Sequence, residues 1–155
     1  MSDALPEIGA PAPPFAGPTQ DGHISLDDLK GKKVALYFYP RDNTPGCTKQ
    51  ACNLRDNFEV LGQAGIAIVG VSDDPEASHA KFAEKYSLPF PLLADTEHEV
   101  MNAYGARREK NMYGRKFLGT VRSTYLIDEN GTLVDIIKKP KVGAHAAEIM
   151  KRFGV

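Results

Sequence analysis

The sequence predicts an α/β fold, a central mixed β-sheet flanked by helices with an N-terminal hairpin extension. Three observations carry that expectation. Val34–Tyr39 and Ile66–Val71 are near-continuous apolar, β-rich runs of the kind that form strands buried on both faces. Between and after them lie segments with apolar residues at helical spacing. The chain then gives two further strand-like runs, Ser123–Ile127 and Thr132–Ile137, joined at Asp128-Glu129-Asn130-Gly131, a hairpin signal. Alternating strands and helices followed by a hairpin imply a mixed sheet covered by helices. At 155 residues the chain suits one domain spanning 1–155.

Met1–Pro18 carries five prolines and little pattern, which suits an extended course over the surface. Phe15–Ile24, with Asp21-Gly22 at its centre, reads as a short hairpin. Ser25-Leu26-Asp27-Asp28 resembles a capping box with Asp in place of Glu, opening one helical turn that stops at Gly31. After the strand Val34–Tyr39, Thr44-Pro45 combines an N-cap residue with proline at the first helical position. This predicts a helix from Pro45 to about Gly62, with Cys47, Ala51, Leu54, Phe58 and Leu61 on its inner face and Thr48, Cys52, Arg55 and Glu59 on a polar one. The first cysteine then looks toward the core and the second toward water. Asp74-Pro75 repeats the device and opens a helix to about Tyr86. Phe90–Ala94 is a short strand and Glu97–Tyr104 a short helix. Residues 105–121 read as a basic loop containing Arg107, Arg108, Lys110, Arg115 and Lys116. Gly143–Phe153 closes the chain as a helix with Ala146, Ile149, Met150 and Phe153 inward.

Composition excludes several functions. Lys plus Arg (19) nearly balances Asp plus Glu (20), so no basic face argues for nucleic acid or an anionic membrane. No segment approaches the length of a membrane span, and the first twenty residues show no secretory pattern. Two cysteines in such a chain suit a reducing compartment better than structural bridges, which predicts a cytoplasmic protein. His23, His98 and His145 have no metal-ligand spacing with each other or with a cysteine. His79 shares a stripe with Phe82, Ala83 and Tyr86 and reads as a half-buried structural histidine.

The informative stretch is Tyr39–Cys52, which holds the only two cysteines. Cys47 falls in the first turn of a helix that starts just past a buried strand. Unpaired N–H groups and the positive end of the helix dipole stabilise a thiolate there. Ligands in open α/β sheets bind beyond the strand ends. A cation nearby adds to this, and two candidates exist: Arg41 on the loop, and Arg122, which can reach Cys47 if Ser123–Ile127 lies beside Val34–Tyr39. The Thr44 hydroxyl, three residues upstream, can bond the sulfur or an oxygen leaving it. Along an ideal helix, residues five apart have Cα atoms roughly 8–9 Å apart and about 140° round the axis. A disulfide needs Cα atoms within about 7 Å. Cys47 and Cys52 are therefore bonded only if the helix start unwinds, which makes a poor staple and a plausible redox switch. The bland alternatives are a core-packing thiol at Cys47, a bystander thiol at Cys52 and a surface ion-pair residue at Arg122.

Pro40-x-x-x-Thr44-x-x-Cys47 resembles the Pro-x-x-x-Thr/Ser-x-x-Cys signature of peroxiredoxins. The wider stretch Tyr39–Arg55 is similar to the subgroup called bacterioferritin comigratory protein, or PrxQ. Lys81–Tyr86, Pro91–Asp95 and Val121–Asp128 agree, and the likeness runs from about Ile8 to the end. This resemblance implies a thioredoxin-like fold and a thiol-dependent peroxidase acting on hydrogen peroxide and organic hydroperoxides. By the family pattern Cys47 is the peroxidatic cysteine, oxidised to sulfenic acid. Thr44 and Arg122 orient the peroxide, Pro40 shields the sulfur, and Gln50 fits a position that is often Glu or Gln. Cys52 matches the resolving cysteine of members that form an intramolecular Cys47–Cys52 disulfide, recycled by thioredoxin or a similar dithiol reductant. The helix Asp74–Tyr86 lacks the cysteine that resolves in other members. No metal, haem or flavin cofactor is implied, and a monomer or weak associate is expected. Two rival readings are a thiol–disulfide oxidoreductase, which usually uses Cys-x-x-Cys, and a non-enzymatic redox sensor that signals through helix unwinding.

Overall fold

A computed structural model describes residues 5–155. Its main sheet has seven strands: β1 (Ala16–Thr19), β2 (Gly22–Ser25), β3 (Lys33–Phe38), β4 (Ile66–Ser72), β5 (Leu92–Ala94), β8 (Ser123–Ile127) and β9 (Leu133–Ile137). They lie in the order β2-β1-β5-β4-β3-β8-β9. β3, β4 and β5 run parallel, while β8 pairs antiparallel with both β3 and β9. The sheet is therefore mixed, as the strand order in the sequence implied. Five α-helices accompany it: α1 (Pro45–Asp56), α2 (Phe58–Gln63), α3 (Glu76–Tyr86), α4 (Glu99–Tyr104) and α5 (His145–Phe153).

Strand β3 explains why the molecule has two cores. Its side chains alternate across the sheet, and both faces are covered. Ala35, Tyr37 and Tyr39 pack with Cys47, Ala51 and Leu54 of α1, Phe82 of α3 and Ile149 of α5. Val34, Leu36 and Phe38 pack with Phe15, Val100, Met101 and Tyr104 on the other side. Burial on both faces is the reason the strand reads as an unbroken apolar run.

The N-terminal hairpin forms as expected, β1 and β2 joined at Gln20-Asp21. The reciprocal bonds of the capping box are also present: Asp28 N–H donates to Ser25 Oγ at 3.3 Å, and Ser25 N–H to Asp28 Oδ2 at 3.0 Å. From Leu5 onward the proline-rich lead segment runs beside β9, with Gly9 N–H donating to the Leu133 carbonyl and Ala12 N–H to that of Gly131. Met1–Ala4 lie outside the described residues.

Three expectations need correction. Residues 105–121 are not a loop: β6 (Arg107–Met112) and β7 (Arg115–Thr120) form an antiparallel hairpin. Tyr113 and Gly114 both take positive φ, +53° and +77°, as a two-residue turn that suits strand twist demands. The hairpin is largely exposed on both faces, so it carries no apolar alternation. The cysteine helix does not run to Gly62 either. It breaks at Asn57 (φ −111°, ψ 13°), where the Asn57 side-chain amide donates to the Asn53 carbonyl at 2.8 Å. Beyond the break Phe58 is exposed rather than inward. Finally, Asp74 does not cap α3, which starts at Glu76. Its carboxylate instead accepts Asp42 N–H at 2.8 Å and the Ser72 hydroxyl at 2.9 Å.

Candidate active site

The site is assembled where β3 ends. Thr44 is the N-cap of α1 and Pro45 its first residue, so Cys47 stands at the third helical position. Its sulfur is almost fully buried, with 2% of the residue exposed. β8 lies beside β3 in the register Phe38↔Ser123, which puts Arg122, the residue before Ser123, level with the end of β3. Arg122 Nη2 donates to Cys47 Sγ at 3.2 Å. Its other terminal nitrogen donates to Gln50 Oε1 at 2.5 Å. One planar guanidinium thus grips the sulfur and the amide one turn further along α1.

Gln50 is wholly buried and its amide nitrogen has no hydrogen-bond partner. Its oxygen holds one of the two terminal nitrogens of Arg122. Beneath the sulfur lies Tyr37, whose hydroxyl is also buried without a partner. Burial first, then the neighbouring Cys47 and Asp42 charges, holds that phenol well above its ordinary range. Tyr37 therefore stays neutral and donates no charge to the site. On the hairpin, Lys110 is held below its usual value by partial burial and by Arg122, with Cys47 opposing. The hairpin therefore brings a further cation into the field of the sulfur.

Not every expected contact is made. The Thr44 hydroxyl donates to the Arg41 carbonyl at 3.0 Å, which closes the turn instead of pointing its proton at the sulfur. As an acceptor the same oxygen keeps its lone pairs free. Arg41 itself is exposed and only its carbonyl serves the site. Pro40 is half-buried at the strand end. Cys52 is partly exposed, and both cysteines are free thiols, as the helical separation requires.

Sequence reasoning missed the anchor of this loop. Asp42 is 7% exposed; its carboxylate accepts from Tyr39 Oη at 2.5 Å and Ser78 Oγ at 2.8 Å, and His79 Nδ1 lies 2.7 Å from it. His79 is completely buried and donates through its other nitrogen to the Leu93 carbonyl at 3.1 Å. The next residue, Asn43, holds a positive φ of +59° and accepts from the Tyr86 hydroxyl at 3.2 Å. The segment that carries Pro40 and Thr44 is therefore bolted to α3. A lone Asp in a polar loop gives no signal of this. The histidine on an apolar stripe was the available one, and it is buried more deeply than that stripe suggested.

Residues 8–136 match the profile of the AhpC/TSA family. The chain belongs to that family, as a peroxiredoxin. It is 49% identical over 147 residues to a bcp protein of Coxiella burnetii, covering 94% of this chain and 97% of that one. It is 43% identical over 146 residues to peroxiredoxin Bcp of Bacillus subtilis, covering 94% and 93%. Among solved structures it resembles the bacterioferritin comigratory protein of Xanthomonas campestris with a TM-score of 0.84, at 34% identity over 90% of each chain. The Xanthomonas protein is described as having alkyl peroxide reduction activity. These likenesses bear out both the subgroup resemblance and the thioredoxin-like fold. No helix among the described residues is long and apolar enough to cross a membrane.

Proposed function

We propose that this peroxiredoxin is a thiol-dependent peroxidase in which Cys47 is the peroxidatic cysteine and Cys52 the resolving one. The observation that carries the reading is the Arg122 guanidinium 3.2 Å from a buried Cys47 sulfur in the first turn of α1. The Cys47 thiolate attacks the distal oxygen of a hydroperoxide. The S–O bond forms as the O–O bond breaks; the distal oxygen keeps its hydrogen, and the departing alkoxide or hydroxide takes a proton from solvent to leave as the alcohol or water. The sulfur is oxidised by two electrons and becomes sulfenic acid. Arg122 stabilises the negative charge passing from sulfur to the departing oxygen. Thr44, its hydroxyl proton committed to Arg41, orients the incoming peroxide through its oxygen, and Pro40 closes the strand-end side against water. The Cys52 thiol then condenses with the sulfenic acid: the S–S bond forms, the S–O bond breaks and water leaves. The likeness to a protein studied for alkyl peroxide reduction supports organic hydroperoxides as substrates beside hydrogen peroxide. The disulfide is returned to two thiols by thioredoxin or a similar dithiol. The reading is of a single-domain monomer working in the cytoplasm.

Two variants test it. Cys47→Ser removes the nucleophile and should abolish peroxide consumption in a thioredoxin-coupled assay; sustained turnover in that variant overturns the assignment. Cys52→Ser should permit one equivalent of oxidation and then stall. Full multi-turnover activity would place resolution on another thiol. Continuous consumption by the unsubstituted protein also separates an enzyme from a sensor, which stops after one oxidation.

A further inference from the structure

Helix α5 (His145–Phe153) has no side-chain cap of its own, because its N-cap residue is Ala144. The cap is supplied from α1 instead. Asn53 Oδ1 accepts the Ala146 backbone N–H at 2.8 Å, one of the orphan donors of a helix start. The other end of the same amide donates to the Gly143 carbonyl at 3.2 Å. One turn earlier, the Lys49 stem lies so close to Gly143 that a Cβ there would come within 2.9 Å of Lys49 Cε. Inside, Ala51 and Leu54 share a core with Ala146 and Ile149. On the opposite flank, Arg55 Nη1 donates to the Tyr86 carbonyl at 2.8 Å. The half of α1 that follows Cys52 is therefore moored to α5 on one side and α3 on the other.

The half that carries Cys47 is held differently. Beside its core packing, its polar tie is the Arg122 bond to the sulfur and to Gln50. In the proposed reaction a thiolate becomes a neutral sulfenic acid, so the charge facing Arg122 is lost, whereas the mooring beside Cys52 is untouched by the chemistry at Cys47. Yet the two sulfurs meet only if helical turns between them open, since the ideal spacing exceeds disulfide reach. What remains to resist opening after oxidation is the fixed second half.

We infer that Asn53 is a positioning residue for the resolving step: its amide latches the Cys52 turn to the start of α5 and sets the rate at which α1 opens for disulfide closure. The inference rests on the proposed Cys47–Cys52 disulfide and goes beyond it by naming what governs its formation. In the closing step Cys52 loses its proton, its sulfur displaces the oxygen of the Cys47 sulfenic acid, and water leaves. Hydrogen peroxide is the oxidant for the preceding step. Asn53 takes part in neither bond change.

The test is single-turnover oxidation with one equivalent of hydrogen peroxide, quenched at intervals. Dimedone traps the sulfenic acid, and intact mass resolves the adduct from the disulfide. Asn53→Ala deletes both bonds, and disulfide closure should accelerate about fivefold, while the first oxidation of Cys47 keeps its rate. Asn53→Asp retains an acceptor for the Ala146 N–H and places a negative charge at a helix start but loses the donor to the Gly143 carbonyl, so closure should fall between the rates of Asn53→Ala and the unsubstituted protein. A merely structural residue would not separate the two steps in this way. Closure in Asn53→Ala at or below the original rate overturns the latch, as does equal acceleration in Asn53→Asp. If the unsubstituted protein forms no disulfide between its two cysteines, the resolving role of Cys52 fails first and the latch falls with it.

Discussion

Replacing Arg122 by Met keeps most of the side-chain length and deletes the charge and every donor. The guanidinium makes two bonds in the resting site, to the sulfur at 3.2 Å and to Gln50 at 2.5 Å. A hydrogen bond to a charged group contributes about 1.5–3 kcal/mol, and each 1.36 kcal/mol is tenfold in rate. Loss of the sulfur contact alone should therefore slow the second-order reaction of Cys47 with hydrogen peroxide by roughly 10- to 150-fold. The loss at Gln50 is of another kind. Its amide nitrogen is already without a partner, and without Arg122 its buried oxygen is stranded too, a cost of about 1–3 kcal/mol in stability. The two effects separate in a double-mutant cycle with Gln50→Met. In the Arg122→Met background, Gln50→Met should leave the rate unchanged and recover stability, because Gln50 serves the reaction only by aiming the arginine. Stopped-flow oxidation at limiting peroxide gives the rate, and urea midpoints give the stability. An Arg122→Met rate within twofold of the original, or a further tenfold loss on adding Gln50→Met, refutes this account of the site.

Two more outcomes follow from buried polar groups. Asp42→Asn replaces one of the two oxygens that Tyr39, Ser78 and His79 face with an amide nitrogen, and should lower stability by about 1–3 kcal/mol, the cost of a buried group left unsatisfied. The peroxide rate should fall with it as the Pro40–Thr44 segment loosens; an unchanged urea midpoint would show that the anchor holds nothing. His145 is fully buried between Thr124 and Glu148, and burial, only partly offset by Glu148, holds its imidazole below the ordinary 6.5. The unfolded chain then binds more protons between the two values, so the contribution to stability is whole above pH 6.5 and is lost as the pH falls toward the lowered folded value. Urea midpoints from pH 7.5 to 5.5 should drop, and drop less steeply in His145→Gln; parallel slopes would sink the assignment.

The parts of this fold that were legible in the sequence are those where local chemistry and burial agree. Val34–Tyr39 is covered on both faces and so announces itself as a core strand. Thr44-Pro45 fixed the start of α1, and Ser25 with Asp28 the single turn before β3. Arg122 was within reach of Cys47 only on the condition that Ser123–Ile127 lay beside Val34–Tyr39, and the antiparallel pairing of β8 with β3 meets that condition. What stayed hidden depends on partners remote in the chain. The exposed β6–β7 hairpin has no apolar alternation to betray it, leaving only Tyr113-Gly114 as a turn signal. Asp42 looks like any loop aspartate until α3 supplies Ser78 and His79. The break at Asn57 interrupts a helix whose apolar spacing continues through it.

The guanidinium comes from a residue 75 positions after the sulfur it grips, delivered by the register of two strands. A chain leaving the ribosome therefore carries Cys47 long before it owns the guanidinium that bonds its sulfur. The guanidinium reaches the sulfur only when the last third of the polypeptide has closed the sheet, and a slip of one residue in that closure would turn the arginine to the opposite face. Competence as a catalyst is in this sense a certificate that folding has finished.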